Sequence, residues 1–252
     1  MTVYSKTIAF LIACVLIMGW FIQPVAAQSF KEANQFYKEN KYDQAIAAYE
    51  KISQAGFESA NLYYNLGNSY CKKGQIGRAL LNYERAKIFM PHDGDLRSNY
   101  DFVKSVLNVP VRYSCQPWFF RWLDRLFDGI GMNMLTMIVS ALWILILVLL
   151  SASLFLPAIR QISPLLNGIL AVMLIVCSLA LARKAYFYQH GAIITDREVE
   201  AKFEPQVGAT TYFKVFEGNS VLILDRTAGW VKVRRPDGKI GWVAALGICA
   251  IR

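Results

Sequence analysis

The sequence contains few of the residues that carry catalysis and metal binding. Only two of its 252 residues are histidines, His92 and His190, and neither accompanies a nucleophile–base pair or a phosphate-binding loop. The four cysteines beyond residue 27 are widely spaced, which excludes the spacing of a disulfide framework, a zinc site or a redox pair. The sequence therefore predicts no enzyme, no cofactor and no metal site.

No soluble region of the chain carries a large excess of charge of one sign. The net charge is +9, but residues 28–108 contain 11 basic and 9 acidic side chains, and residues 183–252 contain 11 and 7. A nucleic-acid-binding protein concentrates its basic residues on one surface. The charge distribution therefore predicts that nucleic acid is not a partner.

Apolar residues, by contrast, are abundant, and one group of them lies at the N-terminus. Hydrophobic residues make up 55% of the chain, which indicates membrane segments. Residues 1–27 combine a short head containing Lys6, an apolar stretch and small residues ending at Ala27, the composition of a secretory signal peptide. Cleavage after Ala27 is the first interpretation, and a retained membrane anchor is the second. Both predict that the rest of the chain is exported.

Two further apolar segments are long enough to cross a lipid bilayer. No charged residue occurs from Gly129 to Ile159, and 132–156 is predicted as the first transmembrane helix. The loop 157–164 contains two prolines and a basic residue, and 165–183 is predicted as the second transmembrane helix. Buried helices of a soluble core are the alternative, which uncharged runs of this length disfavour.

Export of the N-terminal region predicts the orientation of the two spans. The loop between them would face the cytoplasm, and the regions 28–108 and 191–252 would lie on the periplasmic side of the cytoplasmic membrane. The basic residues do not support this orientation independently, because several flank the outer ends of the spans. The linker 109–131 is predicted to contain a helix in the membrane interface, with apolar residues at positions 118, 119, 122, 123, 126 and 127.

Small and aromatic residues recur at a distance of 34 positions in the first soluble region. Gly67 corresponds to Ala33, and Tyr83 corresponds to Tyr49. This period, with small residues where helices cross and aromatic residues between them, is typical of tetratricopeptide repeats, each a pair of antiparallel helices. Two repeats are predicted, with Gly74 as a helix stop. A further helix is predicted to cap the second pair through Leu96, Tyr100, Val103 and Leu107.

Tetratricopeptide repeats bind partner proteins in a groove lined by the first helix of each pair. Asn61, Asn65 and Asn68 are spaced i, i+4 and i+7, which places them on one helix face. An amide offers a donor and an acceptor, so a row of amides suits the backbone of an extended ligand. Asparagines that simply tolerate an exposed surface are an equal alternative. The predicted groove residues are Asn34, Asn61, Tyr64, Asn65, Asn68, Lys72 and Asn99.

The C-terminal segment has the alternating pattern of strands. Apolar and polar residues alternate from Val231 to Arg234, a Pro-Asp-Gly turn follows, and the returning strand contains Ile240, Trp242 and Ala244. The spacing resembles the bacterial SH3-like barrel, and some relatives of that family hold cell-wall peptides. Trp230 and Trp242 are a candidate ligand surface, and packing inside the barrel is the preferred interpretation of these two residues.

These segments together predict a multi-domain membrane protein with tetratricopeptide helix pairs, two transmembrane helices and a small all-β SH3-like barrel. Their order resembles the BatE-type proteins of the Bacteroides aerotolerance (Bat) operon. The resemblance is carried by the repeat sequence 62–86 and the strand sequence 229–243, on either side of the paired spans. It implies a membrane complex with von Willebrand A-type proteins and an AAA+ ATPase, linked to tolerance of oxidative stress.

Two functions follow as expectations. The first is a membrane-anchored scaffold that binds other proteins through the tetratricopeptide groove and the barrel. The alternative is a cell-wall module in which the barrel recognises peptidoglycan.

Overall fold

Helices precede a single C-terminal sheet in this chain, and the computed structural model describes residues 27–107, 117–156 and 160–252. The helices are α1 (27–38), α2 (Tyr42–Gln54), α3 (Ala60–Lys72), α4 (Ile76–Phe89), α5 (Gly94–Val106), α6 (Trp118–Phe127), α7 (Met132–Phe155) and α8 (Ser163–His190). The strands are β1 (Gly191–Ile194), β2 (Glu198–Lys202), β3 (Thr211–Phe216), β4 (Ser220–Thr227), β5 (Trp230–Arg234), β6 (Ile240–Ala244) and β7 (Ile248–Ala250). Apart from Ala27, the predicted signal peptide lies outside the described residues.

Helices α1 to α5 repeat at the interval seen in the sequence. The bounds of α5 are those of α3 moved by 34 positions, and the helix caps follow the same rule. Ser59 Oγ accepts a hydrogen bond from the Leu62 N–H at 3.2 Å, and Asp93 Oδ1 accepts one from the Leu96 N–H at 2.8 Å. Helix α5 therefore begins like the first helix of a third unit.

The turns and crossings of these helix pairs use the residues that the period predicted. Gly74 has φ +71° directly after the C-cap of α3, which confirms it as a helix stop, and Asn40 takes the same left-handed conformation 34 positions earlier. Ala33 is fully buried, and a Cβ at Gly67 would lie 2.6 Å from the ring of Tyr83. The first helix of each pair can therefore approach the second closely only where the side chain is small.

Helices α7 and α8 are long and apolar enough to span a membrane. They pack together with α6 around Leu123, Leu135 and Cys177, while much of their apolar surface is exposed, as at Leu154 and Phe155. Helices of a soluble core bury such surface, so its exposure here favours the predicted membrane spans over the alternative of a soluble core. Helix α8 continues past the predicted end of the second span at residue 183 and reaches His190.

Helix α6 divides the apolar stripe that was predicted for the linker. Leu123 and Phe127 are buried against the two long helices, whereas Trp118, Trp122 and Leu126 are exposed on the other side. One side of the stripe therefore packs against α7 and α8, and the other side is exposed.

The seven strands form one antiparallel sheet in the order β3-β2-β6-β5-β4-β1-β7. Every strand contributes buried side chains to one core, so the sheet folds back on itself and its strands cover one another. We call residues 191–251 the sheet domain. The predicted hairpin is confirmed, because β5 and β6 pair on either side of Gly238, which has φ +90°.

The returning strand β6 presents a different face from the one expected. Gly241 and Val243 are buried, and Trp242 lies on the outer face of the sheet. A Cβ at Gly241 would lie 3.0 Å from the Ala201 Cβ and 3.1 Å from the Phe213 ring. Position 241 on the inner face is therefore too crowded for a large side chain, and glycine occupies it.

The sheet domain packs directly against the helix pairs. Ile193 of β1 and Ile251 are buried in the core of the helical region. Arg85 of α4 donates two hydrogen bonds to the end of the chain, from Nε to the Ile251 carbonyl at 2.7 Å and from Nη2 to the Ala250 carbonyl at 2.9 Å. Glu217 Oε1 accepts a hydrogen bond from the Gly77 N–H at 2.6 Å. The two soluble regions, predicted as separate domains, are in contact through α4.

Candidate functional site

The first helices of the repeating units, α1, α3 and α5, carry a row of amides that we call the ladder face. Its members are half-buried. The sheet domain packs against α4, which does not carry any of these amides. The helical spacing that predicted the groove residues brings most of them together here. The ladder face consists of Asn34, Tyr64, Asn65, Asn68 and Asn99.

The first half of the ladder connects α1 to the helices on both sides of it. Asn34 Oδ1 accepts a hydrogen bond of 2.6 Å from the Tyr49 hydroxyl on α2 and one of 2.9 Å from Asn65 Nδ2 on α3. One amide oxygen thus satisfies a buried hydroxyl and joins two units of the repeat. Asn34 has a structural role in addition to any binding role.

The second half repeats this arrangement one unit further along the chain. Asn68 Oδ1 accepts a hydrogen bond from the Tyr83 hydroxyl at 2.7 Å and one from Asn99 Nδ2 at 3.0 Å. Asn99 Nδ2 also donates to the Tyr64 hydroxyl at 3.1 Å. The side chains of α5 therefore continue the pattern that α1 and α3 begin.

Each ladder amide uses one end inside the protein and keeps the other end available. Asn34 Nδ2, Asn65 Oδ1, Asn68 Nδ2 and Asn99 Oδ1 make no hydrogen bond with the part of the chain that the structure describes. None of the four atoms is among the fully buried unpaired ones. Read from α1 to α5, the available groups are donor, acceptor, donor and acceptor.

Two of the predicted groove residues stand apart from this network. Asn61 and Lys72 are exposed near the two ends of α3 and make no hydrogen bond to other described residues. Their spacing places them on the same side of the helix as Asn65 and Asn68. They extend the ladder face along α3 without holding it together.

Burial keeps neutral the hydroxyls of Tyr49 and Tyr83, which hold the ladder amides. Desolvation raises the pKa of Tyr49 to about 12, and it raises the pKa of Tyr83 further. Both hydroxyls therefore stay protonated near neutral pH and act as donors to the asparagine oxygens. Burial also raises the pKa of the Cys71 thiol on α3, so this cysteine is in the unreactive thiol form.

The two tryptophans of the sheet domain lie on its outer face, on the neighbouring strands β5 and β6. Neither belongs to the core, so the expected packing role is wrong, and both rings are half-buried beside lysines. Lys202 Nζ lies 5.8 Å from the ring centroid of Trp230, and Lys232 Nζ lies 5.6 Å from that of Trp242. The tryptophans form an accessible surface, and its use for a ligand stays a prediction.

The sequence reasoning missed the tyrosines as members of the site. Tyr49 and Tyr83 were expected only to fill the space between helices, yet their hydroxyls fix the asparagines. The signal was present in the period, because Asn34 and Tyr49 both recur one unit later, as Asn68 and Tyr83.

A metal or cofactor site is not evident in the described residues. Across 27–107, 117–156 and 160–252, no group of three or more His, Cys, Asp or Glu residues could hold a metal ion. That the chain is not an enzyme stays a prediction. Neither a protein-family model nor a curated protein sequence matches the chain.

Proposed function

We propose that this chain is a membrane-anchored scaffold that binds a partner protein along the ladder face. The observation that carries the proposal is the alternation of available donors and acceptors from Asn34 to Asn99. An extended peptide presents backbone N–H and C=O groups in alternation, so the two rows are complementary. The tyrosine hydroxyls hold the amides in place before binding, which lowers the entropy lost when the partner docks.

The proposal includes the type of both soluble regions. The helix pairs are tetratricopeptide repeats, supported by the recurring bounds, caps and crossings of their helices. The sheet domain is an SH3-like barrel, supported by its short antiparallel strands around one small core. In this arrangement the barrel supports the helix pairs from the side of α4.

The proposal also places the protein in a complex. The order of segments and the two long apolar helices favour a BatE-type protein of the cytoplasmic membrane, with von Willebrand A-type membrane proteins as partners. The predicted signal peptide at 1–27 supports a periplasmic position for both soluble regions. Partner binding then takes place at the periplasmic surface of the membrane, where the von Willebrand A-type partners also lie.

The test is recovery of a von Willebrand A-type partner by the tagged full-length chain after extraction in a mild detergent. The double variant Asn61→Ala/Lys72→Ala removes two exposed side chains that extend the ladder face along α3 and make no internal hydrogen bond. We expect it to reduce recovery by about tenfold, because removing side chains that contact a partner costs ~1 kcal/mol or more.

The matched control is Gln44→Ala/Lys51→Ala, which removes two exposed side chains of α2. Recovery with the control should equal that of the wild type, and both variants should keep the wild-type unfolding temperature. Equal recovery with all three proteins would show that the partner does not use the ladder face, and the proposal would fail.

A second candidate function rests on the outer face of the sheet domain. The exposed faces of Trp230 and Trp242, each with a lysine nearby, suit the stacking and polar contacts that a peptidoglycan stem peptide or sugar would need. Sedimentation of the full-length chain with purified cell wall tests this function. Binding that is lost in Trp230→Ala/Trp242→Ala would support it, and no sedimentation of the wild type would dismiss it.

A further inference from the structure

A cavity lies where the helix pairs, the long apolar helices and the end of the chain meet. Its volume is about 760 Å³, and its walls come from α4, α5, α6, α7, α8 and the residue Ile251. We call it the junction cavity. Neither the ladder face nor the outer tryptophans of the sheet domain contribute to its lining.

The lining of the junction cavity contains more basic than acidic side chains. The four basic residues are Lys87, Lys104, Arg183 and Lys184, and the three acidic ones are Glu84, Asp124 and Asp128. One positive charge is therefore in excess within a confined space. Such a space concentrates field lines and attracts an anion.

The acidic residues are already engaged with groups in the cavity wall. Asp124 accepts two hydrogen bonds from Arg183, at 3.0 and 2.8 Å, and Asp128 lies 3.5 Å from Lys87 Nζ. Glu84 Oε1 accepts a hydrogen bond from the Tyr100 hydroxyl at 2.6 Å. Asp124 and Asp128 are thus paired with Arg183 and Lys87, and Glu84 alone remains to balance Lys104 and Lys184, so the excess of one positive charge persists.

Two lysines retain the capacity to bind an anion. Lys104 Nζ lies 4.9 Å from the ring centroid of Tyr100 and forms no ion pair with a described carboxylate. Lys184 Nζ donates one hydrogen bond, to the Ile130 carbonyl at 2.6 Å, and an ammonium group has three donors. Together with Lys87 they place several N–H donors around one space.

The position of the cavity identifies the kind of anion. Met132 at the start of α7 and Lys184 near the end of α8 both line it, so it lies at the end of the two apolar helices where a bilayer surface begins. Phospholipid phosphates lie at this depth, and basic pockets between membrane helices suit anionic head groups. Apolar side chains such as Ile88 and Phe187 offer contact for the glycerol and acyl regions.

We propose that the junction cavity binds the phosphate of an anionic glycerophospholipid, with Lys87, Lys104 and Lys184 as the donors. The same donors would accept inorganic phosphate, and the depth of the cavity favours the lipid. The bound lipid would fix the helix pairs against the membrane helices. This inference is independent of the partner that the ladder face binds.

The test uses the full-length chain in neutral detergent with equal amounts of phosphatidylglycerol and phosphatidylcholine, and native mass spectrometry to count the lipids retained. We expect the wild type to retain phosphatidylglycerol preferentially. In Lys87→Gln/Lys104→Gln the affinity for phosphatidylglycerol should fall roughly thirty-fold, since each basic residue near a membrane surface contributes about a fivefold change. Lys104→Gln alone leaves the contact of Lys87 with Asp128 intact and should give about a fivefold fall.

The control is Lys31→Gln/Lys38→Gln, which removes two exposed lysines of α1 and should keep the wild-type preference. A preference that survives in the cavity variants, or that falls equally in the control, would overturn the proposal. Retention of inorganic phosphate without any preference for phosphatidylglycerol would overturn the lipid assignment. Circular dichroism of each variant checks that a lost preference does not come from unfolding.

Discussion

Tyr49 and Tyr83 hold the amides of the ladder face from inside the helix pairs. Tyr49 is fully buried, and its hydroxyl still has a partner in Asn34. A buried hydroxyl without a partner would cost ~1–3 kcal/mol, so the asparagine stabilises the fold as well as shaping the surface. In the proposed function, binding and stability therefore depend on the same residues.

The ionisation of Tyr49 gives a prediction at the residue scale. Its pKa is near 10 in an unfolded chain and about 12 in the folded protein, because burial disfavours the charged form. The associated stability is fully present below pH 10 and is lost as the pH rises to 12. The ultraviolet difference titration between the wild type and Tyr49→Phe should therefore have its midpoint near pH 12.

The same difference titration in denaturant provides the control and should have its midpoint near pH 10. A midpoint near pH 10 in the folded protein would show that the Tyr49 hydroxyl is in contact with water. The hydrogen bond to Asn34 would then be too weak to position that amide.

At the scale of the elements, the packing of α3 on α4 depends on one glycine. A Cβ at Gly67 would lie 2.6 Å from two ring carbons of Tyr83 and 3.3 Å from the Ala79 carbonyl oxygen. Tyr83 is buried and hydrogen-bonded to Asn68, so its ring is held in place. The element pair has no space for even one added methyl group.

Gly67→Ala should therefore destabilise the protein despite the better helix propensity of alanine. Overpacking costs about 1–3 kcal/mol, and the propensity gain offsets about 1 kcal/mol of it. The expected result is a lower temperature for loss of the helical circular dichroism signal of the full-length chain in detergent. Gly94→Ala, where no atom lies within 4 Å, is the matched control and should not lower this temperature.

The elements themselves were largely predictable from the sequence, because their signals are local. The repeat of small and aromatic residues located the helix pairs, long uncharged runs located α7 and α8, and the Pro-Asp-Gly turn located the hairpin of β5 and β6. The face of β6 was not predictable from alternation alone. Crowding by Ala201 and Phe213 decides that Gly241 lies inside, and both residues are distant in sequence.

The residues of the candidate site could be predicted from the sequence, but the hydrogen bonds between them could not. The spacing of Asn61, Asn65 and Asn68 indicates a common helix face, but no spacing rule reveals that Asn68 accepts from Tyr83. The contact of the sheet domain with α4 also could not be predicted from the sequence. It joins Arg85 to the carbonyls of Ala250 and Ile251. These residues are more than a hundred positions apart, and no repeated pattern connects them.

At the scale of the whole molecule, Arg85 joins the helix pairs to the sheet domain. Its two hydrogen bonds to the carbonyls of Ile251 and Ala250 are charge-assisted, and each such bond contributes about 1.5–3 kcal/mol. Arg85→Ala should loosen the end of the chain from α4. We expect amide hydrogen exchange in β7 to accelerate by at least about thirty-fold.

The control is Arg97→Ala on α5, an exposed arginine that lies 4.0 Å from Asp101 and whose removal should leave exchange in β7 unchanged. Unchanged exchange in Arg85→Ala as well would mean that the burial of Ile193 and Ile251, with the hydrogen bond of Glu217, is sufficient to hold the two regions together. Mass spectrometry of the exchanged peptides follows β7 separately from the rest of the chain and so distinguishes these results.

In the proposed membrane-anchored scaffold, the direct passage from α8 into β1 at Gly191 sets how far the molecule extends from its anchor. A helix rises ~1.5 Å per residue, so the short stretch from Lys184 to His190 separates the first strand from the bilayer surface by only about 10 Å. No loop separates α8 from β1, so in this proposed arrangement the sheet domain cannot search a large volume for distant targets. A partner of the proposed scaffold would therefore have to lie in a thin layer above the lipid, where lateral diffusion brings it within range.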